Sequence, residues 1–234
     1  MVITGAGSGI GRATALACAA LGLRVAVWDI AADGARATVE ALGVADSHAH
    51  AAIADVSDRG AVERAFAETI AHLGPVRYLV NNAGPRAADP HAFDDGLRLG
   101  AGSVDLMTRA WMATSPPAGA SVVNVASVAG NIAGTDPAWY AANKAAIAGY
   151  TRAMAIELAP DVRVNAVAPS LVNTPRTSKW TDSDLGRHWA EVNPLHRWAV
   201  AEDIAYPIVY LLSPLAGYIN GVLLPVDGGQ TLIL

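Results

Sequence analysis

The chain contains 234 residues, of which 53% are hydrophobic and 16% are charged, and its formal net charge is −5 at pH 7. This composition is typical of a compact globular protein and excludes a disordered one. The 16 basic residues are dispersed, without a basic run or interleaved aromatic residues, so a nucleic-acid partner is not expected.

Short runs rich in valine or isoleucine alternate along the chain with longer helical stretches. The short runs are predicted to be strands buried on both faces of a parallel sheet: Val2–Thr4, Arg24–Asp29, Ala49–Ala54, Tyr78–Asn81, Ser121–Val125 and Val162–Ala168. The predicted helices are Ile10–Leu21, Gly34–Leu42, Asp58–Leu73, Asp94–Ala113, Ala138–Leu158 and Glu202–Leu212. Gly22 and Gly74 are placed to end two helices, and Ser57 to cap one. The alternation predicts a single α/β domain over residues 1–234, a doubly wound parallel sheet of about seven strands.

A glycine-rich turn, T-G-A-G-S-G-I-G at Thr4–Gly11, separates the first predicted strand from the first predicted helix. Glycine at such positions permits positive φ angles, close approach of the backbone to a pyrophosphate, and tight packing of the helix on the sheet. The free N–H groups at the start of the helix would face the phosphates. This context predicts a dinucleotide site, and the turn residues expected to contact the dinucleotide are Gly5, Ser8, Gly9, Ile10 and Gly11.

Asp29 ends the second predicted strand, where an acidic residue can bind the adenosine ribose. Its carboxylate would accept hydrogen bonds from the ribose hydroxyls and would repel a 2′-phosphate. Ile30 stands where proteins that use NADP often carry an arginine, and Ser8 replaces a second basic residue often found beside that phosphate. These three positions favour NAD as the cofactor.

Taken together, these motifs and others further along resemble the short-chain dehydrogenase/reductase family, in its short single-domain branch. The resemblance covers essentially the whole chain and rests on the glycine turn, Asp55–Val56, N-N-A-G at Asn81–Gly84, Ser127, Y-A-A-N-K at Tyr140–Lys144, P-S-L-V-N-T at Pro169–Thr174 and Asp227–Gly229. It implies a Rossmann fold, an oxidoreductase acting on small alcohols and ketones, and a homotetramer.

Tyr140 and Lys144 lie four residues apart on a predicted helix, so their side chains would share one face. Removing a proton from an alcohol at neutral pH needs a base, whereas a free tyrosine has a pKa of about 10. A nearby ammonium group, together with the positive nicotinamide, would lower the pKa of the phenol. The resemblance implies that Tyr140 is the general acid/base, that Lys144 also binds the nicotinamide ribose, and that Ser127 orients the substrate oxygen.

The resemblance also assigns cofactor contacts to residues in other loops: Asp55 and Val56 at the adenine, Asn82, Ala83 and Gly84 at the nicotinamide ribose, and Pro169, Val172 and Thr174 at the carboxamide. Asn81 is expected to be partly structural.

One position departs from the family pattern. Many members carry a further catalytic asparagine on the helix before the serine strand, and the usual spacing places Gly100 there. Gly96, Gly100 and Gly102 cluster in that predicted helix, where each glycine costs about 1 kcal/mol relative to alanine. The cluster indicates a distorted helix or close packing against a neighbouring subunit. We expect water held by exposed backbone carbonyls to complete the proton relay to Lys144, so that replacing Gly100 with Asn changes the rate modestly.

The stretch 175–200 would, by the resemblance, form a lid over the active site. Aromatic side chains concentrate in and near it, at Trp139, Trp180, His188, Trp189 and Trp198. They indicate either an apolar or cyclic substrate or packing in the core and between subunits; for Trp198 packing is favoured. Arg86 could meet an anionic substrate or be a solvated loop residue.

The sequence therefore predicts an NAD(H)-dependent enzyme that interconverts a secondary alcohol and a ketone. A 3-oxoacyl-thioester reductase is an alternative that Asp29 disfavours, because that role usually takes NADP. An NAD-sensing binding protein with weak turnover is a second alternative, favoured by Gly100 alone. Enoyl reductases of the family place the tyrosine and lysine farther apart than here.

Cys18, the single cysteine, lies in a predicted helix and excludes an intramolecular disulfide. The six histidines show no zinc spacing, so no metal is expected. No apolar stretch reaches the roughly 18 residues that a membrane span needs, and the start has no secretory signal pattern. We therefore expect a cytoplasmic protein without a membrane partner.

Overall fold

The computed structural model of the protein describes residues 1–132 and 135–233. Within these ranges the strands are β1 Val2–Thr4, β2 Val25–Asp29, β3 Ala49–Ile53, β4 Tyr78–Asn81, β5 Ala120–Val125, β6 Val162–Pro169, β7 Val172–Asn173, β8 Ala199–Val200 and β9 Leu223–Val226. A 7-stranded sheet has the order β3-β2-β1-β4-β5-β6-β9, and each neighbouring pair is parallel. This order confirms the predicted doubly wound sheet of Rossmann type. The sequence missed β9 and the small β7–β8 pair.

The helices flank this sheet: α1 Gly9–Ala20, α2 Ala32–Leu42, α3 Arg59–Leu73, α4 Phe93–Leu97, α5 Ser103–Ala113, α6 Ala138–Glu157, α7 Ser178–Thr181, α8 Asp184–Val192 and α9 Ala201–Leu212. The predicted helix Asp94–Ala113 is interrupted by a π-helical turn at Arg98–Gly102. Asp58, and not Ser57, caps α3, because its carboxylate accepts a hydrogen bond from the N–H of Ala61 at 2.9 Å.

Helices bury both faces of the sheet, which is why its strands are short apolar runs rather than alternating ones. Every residue of β1 and β5 is buried. On one face α1 and α9 pack together and contribute Ala15, Ile204 and Ile208 to the core. On the other face α3 and α5 contribute Phe66 and Trp111. Burial of a large apolar side chain contributes roughly 1.5–3 kcal/mol, so these two layers hold the carboxyl edge of the sheet rigid.

Cys18 lies in the first of these layers and is fully buried. Burial raises the pKa of its thiol to about 12. A thiol in such surroundings is unreactive, so Cys18 is a packing residue.

The strand order decides where a ligand can bind. The chain leaves β1 toward β2 and β3 on one side, and β4 and β5 continue the sheet on the other side. In doubly wound sheets the connections diverge at this point and leave a crevice beyond the carboxyl ends of the strands. The residues at or just after those ends are Thr4, Asp29, Asn81 and Val125.

Candidate active site

The glycine turn between β1 and α1 forms a cradle that larger residues would fill. Gly5 and Gly9 have φ angles of +62° and +51°, which only glycine adopts without strain. A Cβ atom on Gly11 would lie 2.4 Å from the carbonyl oxygen of Gly5. Ser8 is the N-cap of α1 but makes no side-chain capping bond, so the first N–H groups of α1 remain available to an anion. This turn fits a pyrophosphate.

Two side chains hold the cradle against the end of β4. The hydroxyl of Thr4 accepts hydrogen bonds from the N–H groups of Asn82 and Ala83, both at 3.0 Å. The amide of Asn82 donates to the carbonyl oxygens of Thr4 and Gly5 at 2.9 and 3.1 Å. The side chain of Asn82 therefore lies under the turn and supports it. Sequence analysis missed this role of Thr4, since nothing local marks it.

Asn81 is buried, and its amide donates to Thr108 at 3.2 Å and to Asn124 at 2.9 Å. This network joins β4 to α5 and β5. The expectation that Asn81 is partly structural is confirmed.

Asp29 is fixed beside the turn by two backbone donors. Its carboxylate oxygens accept hydrogen bonds from the N–H groups of Gly7 at 2.8 Å and Ala31 at 2.9 Å. A Cβ atom on Gly7 would lie 2.8 Å from that carboxylate, so the close approach requires glycine at position 7. Each carboxylate oxygen keeps a lone pair for a further donor. Ile30 follows with its side chain 70% exposed.

A cavity of about 420 Å³ extends along the carboxyl edge of the sheet. It brings together Gly5, Ser8, Asp29, Ile30, Asp55, Val56, Asn82, Ala83 and Gly84 from the sequence-predicted set. Gly9 lies against Thr174, since a Cβ atom on this glycine would be 3.3 Å from the threonine side chain. Pro169 and Val172 are buried at the end of β6 and in β7.

Helix α6 places Tyr140 and Lys144 on one face, as their spacing predicts. The ammonium nitrogen of Lys144 lies 5.7 Å from the centroid of the Tyr140 ring and donates to the carbonyl oxygen of Val125 at 2.9 Å. Ser127, just beyond β5, forms a side-chain hydrogen bond with the Tyr140 phenol that helps to lower the phenol's pKa. The hydroxyl of Ser127 also accepts a hydrogen bond from the N–H of Ala129 at 3.1 Å. The three predicted catalytic side chains thus lie together.

Burial dominates the acid–base balance of this cluster. It lowers the pKa of Lys144 to about 7, and the positive charge of Arg176 adds to this effect. Burial raises the pKa of Tyr140, and the Arg176 charge and the Ser127 hydrogen bond offset part of that rise. The protein's own groups therefore raise the pKa of Tyr140, and the expected lowering, which counts the positive nicotinamide as well as Lys144, stays a prediction. The reason for the rise is that desolvation of the phenolate outweighs the attraction of nearby charges.

Asn131 fastens the serine loop to the lysine helix. Its amide donates to the carbonyl oxygen of Ser127 at 2.9 Å and to that of Lys144 at 3.1 Å. Sequence analysis missed this residue, because a lone asparagine in a loop carries no recognisable spacing. It positions two of the predicted catalytic residues relative to each other.

The π-helical turn at Arg98–Gly102 is held by a side chain of α6. The amide oxygen of the buried Asn143 accepts a hydrogen bond from the N–H of Ala101 at 2.6 Å. A Cβ atom on Gly100 would lie 2.1 Å from that amide. The predicted distortion of this helix is confirmed, and Asn143 supplies its cause within the chain. Because Gly100 leaves no room for a side chain, the expected modest effect of Gly100→Asn must be revised to a disruptive one.

Trp139 packs against the same helix. It is buried, and a Cβ atom on Gly96 would lie 2.4 Å from its ring. Its ring meets the edges of His91 and Tyr140, with centroids 5.2 and 5.7 Å away. Trp139 therefore belongs to the packing beneath the site, one of the two roles considered for it.

The 175–200 segment contains α7, α8 and β8. The indole N–H of Trp198 donates to the carbonyl oxygen of Gly186 at 2.9 Å, which confirms its packing role, whereas Trp180 is 58% exposed. Arg86 pairs with Asp89 at 2.7 Å on the surface. This favours a solvated loop residue over a contact with an anionic substrate. Arg176, which sequence analysis did not single out, lines the cavity.

Residues 1–132 and 135–233 contain no group of three or more His, Cys, Asp or Glu side chains that could hold a metal ion. No helix in the same ranges combines the length and the apolar character that crossing a membrane requires.

Comparison with known proteins covers the whole chain. A family model described as "Enoyl-(Acyl carrier protein) reductase" matches residues 5–231. Levodione reductase of Leifsonia aquatica is 34% identical over 99% of this chain and 93% of the relative. Meso-2,3-butanediol dehydrogenase of Serratia marcescens is 36% identical over 99% of this chain and 94% of the relative.

Solved structures agree in fold. A short-chain dehydrogenase/reductase described as a glucose/ribitol dehydrogenase, from Brucella melitensis, superposes with a TM-score of 0.91 at 30% identity, over 98% of this chain and 95% of the other. A 3-ketoacyl-(acyl-carrier-protein) reductase from the same organism, complexed with NADH, gives a TM-score of 0.86 at 33% identity, over 98% of this chain and 97% of the other.

Proposed function

The chain belongs to the short-chain dehydrogenase/reductase family, and from this premise we propose that it is an NAD(H)-dependent oxidoreductase that interconverts a secondary alcohol and a ketone. The observation that carries the proposal is the cluster of Ser127, Tyr140 and Lys144 at the carboxyl edge of the sheet, where the residues lining the cavity fit a dinucleotide. The family and its NADH-complexed neighbour support a nicotinamide cofactor.

The choice of NAD rests on the adenine end of the cavity. Asp29 is held in place by the N–H groups of Gly7 and Ala31, so its charge cannot easily move away from a 2′-phosphate. No arginine accompanies it, since Ile30 follows directly. Asp55 and Val56 would face the adenine, and the glycine turn would hold the pyrophosphate. When bound, the nicotinamide supplies or accepts the hydride.

Tyr140 would move the proton. In ketone reduction its phenol donates a proton to the oxygen that Ser127 holds, and in alcohol oxidation its phenolate removes that proton. Burial raises the pKa of Tyr140, which opposes formation of the phenolate that alcohol oxidation needs. Such acid–base assistance contributes about 10²–10⁴ in rate. Lys144 would hold the ribose hydroxyls and return protons to Tyr140.

The substrate class follows from the relatives and from the wall of the site. Levodione reductase and meso-2,3-butanediol dehydrogenase carry the names of small ketone and alcohol substrates. His91 lines the cavity and contacts the buried Trp139, which in turn contacts Tyr140, so aromatic rings surround Tyr140. We therefore favour a small secondary alcohol or ketone, apolar or cyclic in its main part.

The remaining proposals concern the whole protein. Residues 1–234 would form one catalytic domain with a lid at about 175–200, in a cytoplasmic homotetramer with neither nucleic acid nor membrane as partner. Exposed apolar side chains on and after α9, among them Tyr206, Leu215 and Tyr218, offer surface for subunit contacts.

The test is turnover by the purified protein with NAD and NADP and a panel of cyclic and acyclic secondary alcohols and ketones. We expect reduced nicotinamide to form with NAD and the Tyr140→Phe variant to lose this activity. Binding of NAD without turnover of any substrate would favour a sensor instead.

A 3-oxoacyl-thioester reductase is a second candidate. It is supported by the NADH-complexed 3-ketoacyl reductase structure at 33% identity. An acetoacetyl thioester in the same panel distinguishes the two. Preference for this thioester over all free ketones would select the second candidate.

A further inference from the structure

Arg176 reaches across the cavity from the 175–200 segment to the opposite wall. Its guanidinium donates a hydrogen bond to the carbonyl oxygen of Gly84 at 3.2 Å, where β4 has just ended. The two residues are 92 positions apart in the chain. Arg176 is exposed and lines the cavity, so most of its five N–H donors face open space rather than protein.

Arg176 forms no ion pair with the carboxylates that line the cavity. Asp29 accepts hydrogen bonds from the N–H groups of Gly7 and Ala31, Asp55 accepts them from Ser57, and Asp89 pairs with Arg86. None of the ion pairs found in residues 1–132 and 135–233 includes Arg176. An arginine that enters a reaction cleft without a carboxylate partner is suited to an anionic ligand, since its planar fork matches a carboxylate in two-point contact.

The position of Arg176 indicates which end of the cavity such an anion would occupy. Its charge acts on both Tyr140 and Lys144, so the guanidinium lies close to the catalytic pair. Thr174 lies against Gly9 of the phosphate cradle, whereas the contact made by Arg176 is with Gly84. The guanidinium therefore lies at the loop after β4, near Tyr140 and Lys144, rather than at the phosphate cradle.

We propose that Arg176 binds a carboxylate on the substrate, so that the preferred substrates are hydroxycarboxylates and oxocarboxylates. This inference rests on the proposed function and narrows its substrate class. An anion here would also offset the positive charge of Arg176, which helps to lower the pKa of Lys144.

Binding to the NADH-saturated protein tests the proposal without turnover. Isothermal titration calorimetry would compare cyclohexanecarboxylate with cyclohexanecarboxamide, which has nearly the same shape and no charge. We expect the carboxylate to bind more tightly to the wild type. Arg176→Met should weaken carboxylate binding about 10- to 100-fold, the range expected when a charged hydrogen bond is lost. Arg176→Met should change the affinities for the carboxamide and for NADH by no more than about twofold. Arg176→Lys should lose less carboxylate affinity than Arg176→Met.

Arg187→Met is the matched control, because Arg187 is an exposed arginine of the same segment that pairs with Asp184. It removes one positive charge from the segment and should change none of these affinities. Steady-state kinetics then compare hydroxycarboxylates of increasing length with their uncharged methyl esters. Arg176→Met should raise KM for the acids and leave KM for the esters unchanged.

Equal binding of carboxylate and carboxamide to the wild type would overturn the proposal. So would an Arg176→Met variant that weakens NADH and both ligands alike, since Arg176 would then serve the cofactor phosphates. If no alcohol or ketone is turned over at all, the proposed function fails, while the calorimetric comparison still decides the role of Arg176.

Discussion

Replacing Gly100 with alanine adds a single methyl group at a crowded point beside α6, the helix that carries Tyr140 and Lys144. The new Cβ atom would lie 2.1 Å from the Asn143 amide, so the amide or the π-helical turn must move. Overpacking of this kind costs about 1–3 kcal/mol. Displacing Asn143 also breaks its 2.6 Å bond to the N–H of Ala101, and an unpaired buried donor costs about 1–3 kcal/mol. Alanine regains about 1 kcal/mol in helix propensity, which leaves a net destabilisation of about 3 kcal/mol.

Asn143→Ser provides the second corner of a double-mutant cycle, because it removes the amide that the methyl group strikes. By itself it should cost about 1–3 kcal/mol for the lost hydrogen bond. The double variant should be more stable than the sum of the single changes by about 1–3 kcal/mol, as expected for residues in direct contact. Urea unfolding of the wild type, the two single variants and the double variant measures these unfolding free energies. Activity should fall in Gly100→Ala, because Asn143 directly precedes Lys144.

Gly149→Ala is the matched control on α6. Nothing lies within 4 Å of a Cβ atom at Gly149, so alanine there should stabilise the protein by about 1 kcal/mol. Equal stabilisation by Gly100→Ala and Gly149→Ala would refute the contact between Gly100 and Asn143. So would a double variant whose change in unfolding free energy equals the sum of the changes caused by Gly100→Ala and Asn143→Ser.

Four further predictions concern the residues proposed to act in catalysis and cofactor binding. Asp29→Asn removes a charge while keeping the side-chain size. We expect it to raise the ratio of kcat/KM measured with NADP to kcat/KM measured with NAD about tenfold or more. An unchanged ratio would contradict the role of Asp29. Tyr140→Phe should lower kcat about 10²–10⁴-fold with little change in NADH affinity, and wild-type alcohol oxidation should rise with pH, since burial raises the pKa of Tyr140. Folding lowers the pKa of Lys144 from 10.5 to about 7, so the unfolded chain binds more protons between these values and Lys144 makes stability rise with pH across that window. The unfolding free energy of the cofactor-free Lys144→Met variant should rise less than that of the wild type between pH 7 and 10, and parallel profiles would count against this.

Much of the fold and of the candidate site can be predicted from the sequence, because the signals are local. The alternation of apolar strands and helices predicts a doubly wound sheet, and the glycine turn follows its first strand. Asp29 at a strand end and Tyr140 four residues before Lys144 place side chains at one edge or on one face through strand and helix geometry alone.

Only the tertiary structure decided the features that join distant parts of the chain. Asn143 and Ala101 are 42 residues apart, and Arg176 and Gly84 are 92 apart. The π-helical turn, the absence of space at Gly100 and the cation that crosses the cavity all depend on such contacts. The direction of the Tyr140 pKa shift also required the structure. Helical spacing places Lys144 near the phenol, but the shift depends on how far surrounding segments exclude water, and sequence spacing does not measure that burial.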